Sequence, residues 1–598
     1  MKNIFKYILC AVAAITVFAS CEDFLDRPAE DRYTTANYYQ NDLQVEQSVN
    51  YLYNSPWYDV IRFYIYGSET MCGNVYQGNN AYSTLTVNGT DADLKNMSYS
   101  LWAVNAQCNT VIANIRNSNG TASQAVKNKA IGEALTWKAM AYFLLVRTFG
   151  DVPIIHDNLE VINAGTYNDQ FKVEKADVYE YIIMTLEKAM ELLPKNAYIG
   201  VYNRIDYYAA EALLAKVYLT KAGVGGSITS EAAIADLTNA KSYALDVIEN
   251  SGRSLTPNYE DVFRLSPSIF QATGENLISW QWASGTGIWT AQNSIQSDVG
   301  PLGIDEYGAT WGDWKGPSVD LMDLFDISAD LEPTLRVNKD DRRHGTIMMF
   351  GDQYPQFWQD KGGFDMYRFY FDDSYYPTGL EANGSNHQWC CATGALYAKH
   401  LYGSGTDHAT ALGISADRMC YQLPTHLLRL SDIYLVYAEA CLLTAEAPKA
   451  LDYVNQVRAR AHATPLPSVT IADIFKERRL ELALEGDNWY DYVRRAYYEP
   501  ETVIAEIKAQ RRGHWDGIQS MYKDYVVKDG AYVGPGANTW DATQIVYNGT
   551  NEDLTNAAIT ASMFVVPFPT EDVVMNPNVG SDVAPIHVDV RATFSYDF

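Results

Sequence analysis

Apolar positions recur at spacings of three and four in two long blocks of the chain, the period of helices that bury one face. Within 424–441, Leu427, Leu430, Tyr434, Tyr437, Ala438 and Cys441 fall on one side of a helix, and Ala450, Val454, Val457 and Ala461 repeat the pattern after a short break. Together they predict a helical hairpin of about 35 residues with small alanines at the crossing points, which is a tetratricopeptide-type unit. A second pair follows the same plan. Residues 204–220 carry Ile205, Tyr208, Ala209, Ala212 and Leu219, and beyond a glycine-rich turn come Ile234, Leu237, Ala240, Ala244 and Val247, with Ala209 and Ala244 35 residues apart. Upstream, 133–149 places Leu135, Ala139, Tyr142, Val146 and Phe149 on one face and Trp137, Leu144 and Leu145 on the other, so this helix is expected to be buried nearly all round. Gly150-Asp151-Val152-Pro153 ends it, Val178, Ile182, Leu186, Ala189 and Leu193 supply its partner, and Leu101, Val104, Cys108, Val111 and Ile112 line a further helix over 100–114. At least three such pairs must stack, because each needs neighbours to cover its apolar face.

Over 251–422 the helical period gives way to short β-like runs, glycine and proline punctuation and dense aromatic residues. Irregular segments that long in a compact chain usually carry function. The fold class expected is mainly α: a tetratricopeptide-like scaffold of helical pairs with a large loop-rich, partly β insertion. The expected organisation is a leader over 1–20 and a single unit over 21–598. Within that unit, N-terminal helical repeats run from about 35 to 250, the loop-rich region from about 251 to 422, a C-terminal helical repeat from about 423 to 495, and an irregular tail from about 496 to 598, packed around the scaffold.

The first residues follow a different rule. Lys2 and Lys6 introduce an unbroken run of 13 apolar or small residues from Tyr7 to Ala19, and Phe18-Ala19-Ser20 leads into Cys21. That is a secretory signal ending in a lipobox. The run is too short for a helical span, which needs about 20 residues. Cleavage makes Cys21 the first mature residue, and several acyl chains, at roughly 0.8 kcal/mol per buried CH2, anchor it stably. Removal of residues 1–20 takes Lys2 and Lys6 from the 45 basic residues and leaves all 73 acidic ones, a formal charge of −30. A field of that sign repels nucleic acid. With 47% hydrophobic and 13% aromatic residues the chain still has ample material for an ordered core. Cys108 and Cys441 fall on apolar helix faces and are expected as buried thiols, whereas the adjacent Cys390 and Cys391 could form a vicinal disulfide.

Aromatic residues in surface loops offer flat apolar contact area at little entropy cost, and amides and carboxylates beside them can bind hydroxyls. Trp280 and Trp282 alternate with Ile278 on one strand face and read as core. Trp289, Trp311 and Trp314 differ, because they sit in glycine-rich segments with no period that would bury them. With Tyr307 and Asp313 in the same region, they are candidate ligand residues. Tyr76, Asn79 and Tyr82 join them from an N-terminal loop that combines amides with tyrosines; a plain turn is the rival reading there. Trp102 lies on a helix and is expected to be structural, and Arg478, on an apolar face with Phe475 and Leu482, reads as one half of a buried ion pair. Enzymatic chemistry finds little support. Asp305, Glu306, Asp313 and Asp320 offer many carboxylate pairings with nothing to select one, and no phosphate loop, dinucleotide glycine pattern or nucleophile elbow occurs. The His387-Gln388-Trp389-Cys390-Cys391 cluster lacks a second ligand pair at zinc spacing. No cofactor and no metal site is expected; calcium at Asp91 and Asp93, or at Asp372 and Asp373, stays unassigned for want of a full ligand set.

These residues resemble the SusD-like (RagB/SusD) family of outer-membrane nutrient-binding lipoproteins. The likeness is carried by Cys21-Glu22-Asp23-Phe24-Leu25-Asp26 after the lipobox, by the helices from Leu101-Trp102 and from Glu133-Ala134-Leu135 to Val152-Pro153, and by Asp341-Arg342-Arg343. Most specific are Leu428-Arg429-Leu430-Ser431-Asp432 to Ala440 and Glu477-Arg478-Arg479-Leu480-Glu481 to Gly486. The resemblance implies a cell-surface protein of the outer membrane, lipid-anchored through Cys21, that binds oligosaccharides or polysaccharides as a lid on a SusC-like TonB-dependent transporter. It also implies that the protein is no enzyme, that the loop-rich, partly β insertion forms the ligand face, and that the loop holding Tyr76, Asn79 and Tyr82 contributes to it. Some members take peptides instead, and a surface glycoside hydrolase on the same scaffold and a purely structural assembly subunit are further alternatives.

Overall fold

A computed structural model describes residues 38–195, 203–265, 274–284, 287–305, 315–375, 389, 391–414, 416 and 421–598. The N-terminal block is built on α1 Ala92–Asn117, α2 Gln124–Phe149, α3 Asn158–Ala164, α4 Lys175–Leu192, α5 Tyr207–Lys221 and α6 Glu231–Asn250. Local sequence sets their ends. Asp91, Ser123, Asp206 and Ser230 cap α1, α2, α5 and α6, each accepting the backbone N–H three residues on. Gly150, at φ +74°, turns the chain out of α2 in a conformation that side chains resist. α1 packs on α2, α2 on α4, α4 on α5 and α5 on α6, so each amphipathic face covers its neighbour. α2 is the central rod, with every residue from Ala130 to Phe149 buried, as its two-sided apolar pattern requires. The alanines at the crossings, Ala209, Ala212, Ala240 and Ala244, are fully buried and let the backbones approach.

The C-terminal repeat pairs α7 Leu430–Leu443 with α8 Ala447–Arg460 and continues into α9 Ile471–Leu482 and α10 Asn488–Ala496. α7 packs on α6, which joins the two blocks. The insertion between them holds short helices and two-stranded ladders. β1 Val75–Tyr76 pairs with β3 Gly316–Pro317, and the wholly buried β2 Asn276–Trp280 runs antiparallel to β4 Thr425–Arg429. Trp280 and Trp282 are core, as their alternation predicts.

Three expectations are corrected. The helix expected over 424–441 begins at Leu430, because 425–429 is spent on the strand that carries Arg429 into a cage of carboxylates. The helix expected from 204 begins at Tyr207, after the Asp206 cap. The tail is not simply irregular: Pro500–Ala509 forms α11 on the Val503 and Ile507 spacing, and Ile518–Val526 forms α12 on Ile518, Met521, Tyr522 and Tyr525. Its last part returns to the N-terminal block. There Phe568 stacks on Phe149 at 4.7 Å, Val566 N–H donates to Thr148 O at 2.9 Å, and Asp572 of α13 Thr570–Met575 accepts from Ser98 at 2.6 Å.

Buried charge ties the two blocks and the insertion together. Arg429 meets Glu275, Glu481 and Glu485, Arg460 meets Glu275 and Glu481, and Arg342 meets Asp340, Glu477 and Glu481. A second cluster joins Arg478 to Asp432 at 2.7 Å and Asp491 at 2.8 Å, while Lys216 reaches Asp432 and Asp487 and Arg147 reaches Asp487 at 2.7 Å. Arg478 is thus a structural partner, as its apolar face suggests. Burial is tolerated only because nearly every charge is matched and hydrogen-bonded. The Arg429 guanidinium and the Lys399 ammonium together outweigh the desolvation of Glu485 and hold its carboxyl down at about 2.

Candidate functional site

Trp289 opens a short turn over Trp289–Ala291 and leaves 51% of its surface exposed, where large side chains of this protein are otherwise mostly buried. Gly287, at φ +71°, turns the chain just before it and carries no side chain to cover the ring. The indole borders a cleft of about 160 Å³ lined by Tyr58, Asp59, Arg62, Asn96, Ser294 and Asp298. Each wall has its own origin. Tyr58, Asp59 and Arg62 come from the aromatic segment before β1, Asn96 from the first turns of α1, and Ser294 and Asp298 from the segment after Trp289.

The electrostatics are mixed, with both charges present. Arg62 Nε lies 3.8 Å from Asp298, and half of the Arg62 side chain is open to solvent. Burial works against the Arg62 charge, but Asp298 and Asp93 outweigh it and hold the guanidinium above its ordinary value. Lys315 Nζ sits 4.0 Å from the same Asp298 and 4.5 Å from the centre of the Tyr66 ring. Burial pushes the Asp59 carboxyl up and raises the Tyr58 hydroxyl, the latter against its side-chain hydrogen bonds to Ser294 and Trp289. A flat exposed ring beside an amide, two carboxylates, a guanidinium and a hydroxyl is the donor and acceptor set that binds a polyol.

The other sequence candidates fare differently. Tyr307, Trp311, Asp313 and Trp314 lie outside the described residues, as does Cys21. Tyr76 sits in β1, paired with Gly316 two positions along the sequence from Trp314, and its ring centre is 5.6 Å from that of His514. Asn79 is exposed on the following turn. Tyr82 is committed to the fold: its hydroxyl donates to Asp91 Oδ1 at 2.7 Å and its ring packs edge-on to Phe63, while burial and the Asp93 charge push the hydroxyl well above its ordinary value. None of these three lines the Trp289 cleft. Sequence reasoning missed Tyr58, Arg62 and Asn96. The available signal was Arg62 itself, a lone charge inside the apolar run Val60-Ile61-Arg62-Phe63-Tyr64-Ile65.

Catalytic and metal chemistry gain little from the geometry. Asp320 is held by Arg479 at 2.7 Å, Asp305 is buried, and Glu306 lies outside the described residues. Asp91 caps α1, and Asp372 accepts from Ser374 and from Arg368 at 2.9 Å, so one acid of each candidate calcium pair is already engaged. Among the described residues the ligand atoms of Glu174, Asp177 and His587 converge within 4.8 Å, yet Asp177 already accepts from His587 and from Val588 N–H. Cys108 and Cys441 are buried free thiols, as expected. Cys390, and with it the question of a vicinal disulfide, lies outside the described residues; Cys391 is buried, 3.3 Å from the Tyr370 hydroxyl. No helix among the described residues is long and apolar enough to cross a membrane.

Similarity to known proteins agrees with this architecture. A family model described as the SusD family matches residues 280–581, and one described as starch-binding associating with outer membrane matches residues 23–219. A SusD-like protein of Bacteroides ovatus is 30% identical over 97% of this chain and 98% of its own length. A crystal structure with xylogluco-oligosaccharide is 27% identical and superposes with a TM-score of 0.71 over 91% of this chain and 99% of that one. A laminarin binding SusD-like protein, 20% identical with a TM-score of 0.58 over 90% of this chain and 98% of that one, shares the fold. With both halves matched by family models and a relative aligned end to end, the chain belongs to the SusD family.

Proposed function

We propose that this protein captures neutral oligosaccharides at the cell surface, anchored in the outer membrane through acylated Cys21, and delivers them to a SusC-like TonB-dependent transporter without chemical conversion. The observation that carries the reading is Trp289. It is an indole left half open above a cleft of amide, carboxylate, guanidinium and hydroxyl groups, in a chain 27% identical to one solved with a xylogluco-oligosaccharide. Trp311, Trp314, Asp313 and Tyr307 are proposed to complete the ligand face, with Tyr76 and Asn79 beside it. Capture at a transporter mouth needs only weak affinity, because lid and barrel act at high effective concentration.

Calorimetry of the soluble form starting at Asn37, against a panel of neutral polysaccharides, polyuronides and peptides, tests the ligand class. Binding confined to peptides rejects the glycan assignment, and release of reducing ends from a bound polysaccharide rejects the non-enzymatic one. Copurification of a β-barrel with the intact lipoprotein, and its loss on Cys21→Ser, tests the placement.

A further inference from the structure

Helix α1 borders a second and larger cleft. It encloses about 530 Å³ between α1, α3 and α13, and its walls include Tyr99, Trp102, Asn105, Tyr167, Phe568 and Asp572. Tyr99 and Tyr167 are 73% and 68% exposed, which makes them two flat rings that no part of the described chain covers. Trp102 packs edge-on to Tyr142 yet remains partly open on this side. The polar groups are amides, tyrosine hydroxyls and one carboxylate, with acceptors left over. Asn105 is 2% exposed and donates through Nδ2 to Ile155 O at 3.1 Å, while its Oδ1 has no hydrogen-bond partner. Asp572 takes one hydrogen bond, from Ser98 at 2.6 Å, and has acceptor capacity to spare. No lysine or arginine lines the cleft among the described residues, so an anionic ligand would find no counter-charge there. Aromatic faces, spare acceptors and the absence of cations select a neutral ligand rich in hydroxyl donors.

The position of this cleft adds to its chemistry. Asn96 lines the Trp289 cleft, and Tyr99, one turn further along α1, lines the second. Asn96, Tyr99, Ala103 and Gln107 follow at spacings of three and four, hence on one face, and at 1.5 Å per residue they cover about 16 Å, the length of a short oligosaccharide. We propose that the second cleft is a saccharide subsite, and that a neutral glycan chain lies along α1 from Trp289 to Tyr167. The inference rests on the glycan reading of the Trp289 cleft and adds to it a preference for longer chains.

The test is calorimetry with xyloglucan and laminarin oligosaccharides of increasing length on three proteins: wild type, Trp289→Ala, and the double variant Tyr99→Ala with Tyr167→Ala. Both tyrosines are mostly exposed, so an unchanged melting temperature is expected for the double variant. It should bind the longest chains about tenfold more weakly and the shortest ones as wild type does. Trp289→Ala should weaken every length. Equal affinity of the double variant and wild type at every length overturns the second subsite and leaves the Trp289 reading intact; a cleft that serves a protein segment would give that result. Failure of wild type to bind either glycan removes both.

Discussion

Glu481 is shared by three guanidinium groups of the buried network, and its removal is a sharp test of how the fold is held. It is fully buried, with Oε1 accepting from Arg429 at 3.0 Å and from Arg460, and Oε2 accepting from Arg342 at 3.2 Å. Glu481→Gln keeps the volume but removes the charge that three guanidinium groups share, and turns an acceptor into an amide donor facing cations. Breaking a buried pair from one side costs about 3–5 kcal/mol, because the remaining charge stays desolvated and unmatched. Urea denaturation followed by near-UV circular dichroism should therefore show a loss in that range. Glu571→Gln breaks only the pair with Lys95, whose side chains are 73% and 43% exposed, and should change stability by less than about 1 kcal/mol. Adding Arg460→Met to Glu481→Gln removes the excess cation and should recover at least about 1 kcal/mol relative to additivity. A loss below about 1 kcal/mol for Glu481→Gln, or strict additivity in the pair, would refute the view that matched burial is what makes these charges tolerable.

Three further outcomes follow from local geometry. His400 and His426 are buried and their imidazoles are pushed down to about 4 by burial, with the Arg429 charge adding to it at His426. The unfolded chain takes up these protons near pH 6.5, so the stability involved is present above that pH and lost as pH falls from 6.5 toward 4, by up to about 3 kcal/mol per histidine. Because Glu69 and Glu211, raised to about 7 and about 8, act in the opposite direction, the check is His400→Gln, whose stability should fall less than that of wild type between pH 7 and 5; an identical pH dependence contradicts this. Tyr82→Phe removes the bond to Asp91 and should cost about 1 kcal/mol in stability while leaving glycan affinity unchanged; a fall in affinity alone would return Tyr82 to the ligand face. Because Asp91 is engaged by the α1 cap and by Tyr82, millimolar calcium should leave the melting temperature within about 1 °C of its value in chelator; a large rise would show a site there.

Much of the scaffold is legible in sequence because helices that bury one face must repeat every 3.6 residues, and α4, α6 and α8 follow that rule, whereas α2 is recognised by apolar residues on both sides. The period misleads where it meets another constraint. Leu427 and Leu430 fit a helix, yet Thr425–Arg429 pairs with β2 because Arg429 must reach Glu275, Glu481 and Glu485, contacts that lie 52 to 154 residues away in sequence. The charged core is largely invisible for the same reason. Arg342, Arg429 and Arg460 look like surface residues until their partners arrive from distant segments, and only Arg478 betrays itself by sitting on an apolar face. The exposure of Trp289 is legible because its glycine neighbours cannot bury it. Tyr58, Arg62 and Asn96 are not, since the sequence alone does not say that the segment before β1 and the start of α1 converge on the same ring.

The most direct measurement is a crystal structure of the protein soaked with a glycan that binds it in solution. The account predicts a pyranose ring lying flat on the exposed indole of Trp289, with its hydroxyls within hydrogen-bond distance of Asn96 and of Asp298 or Arg62. Density for the sugar on another face, with Trp289 still open to solvent, would contradict it.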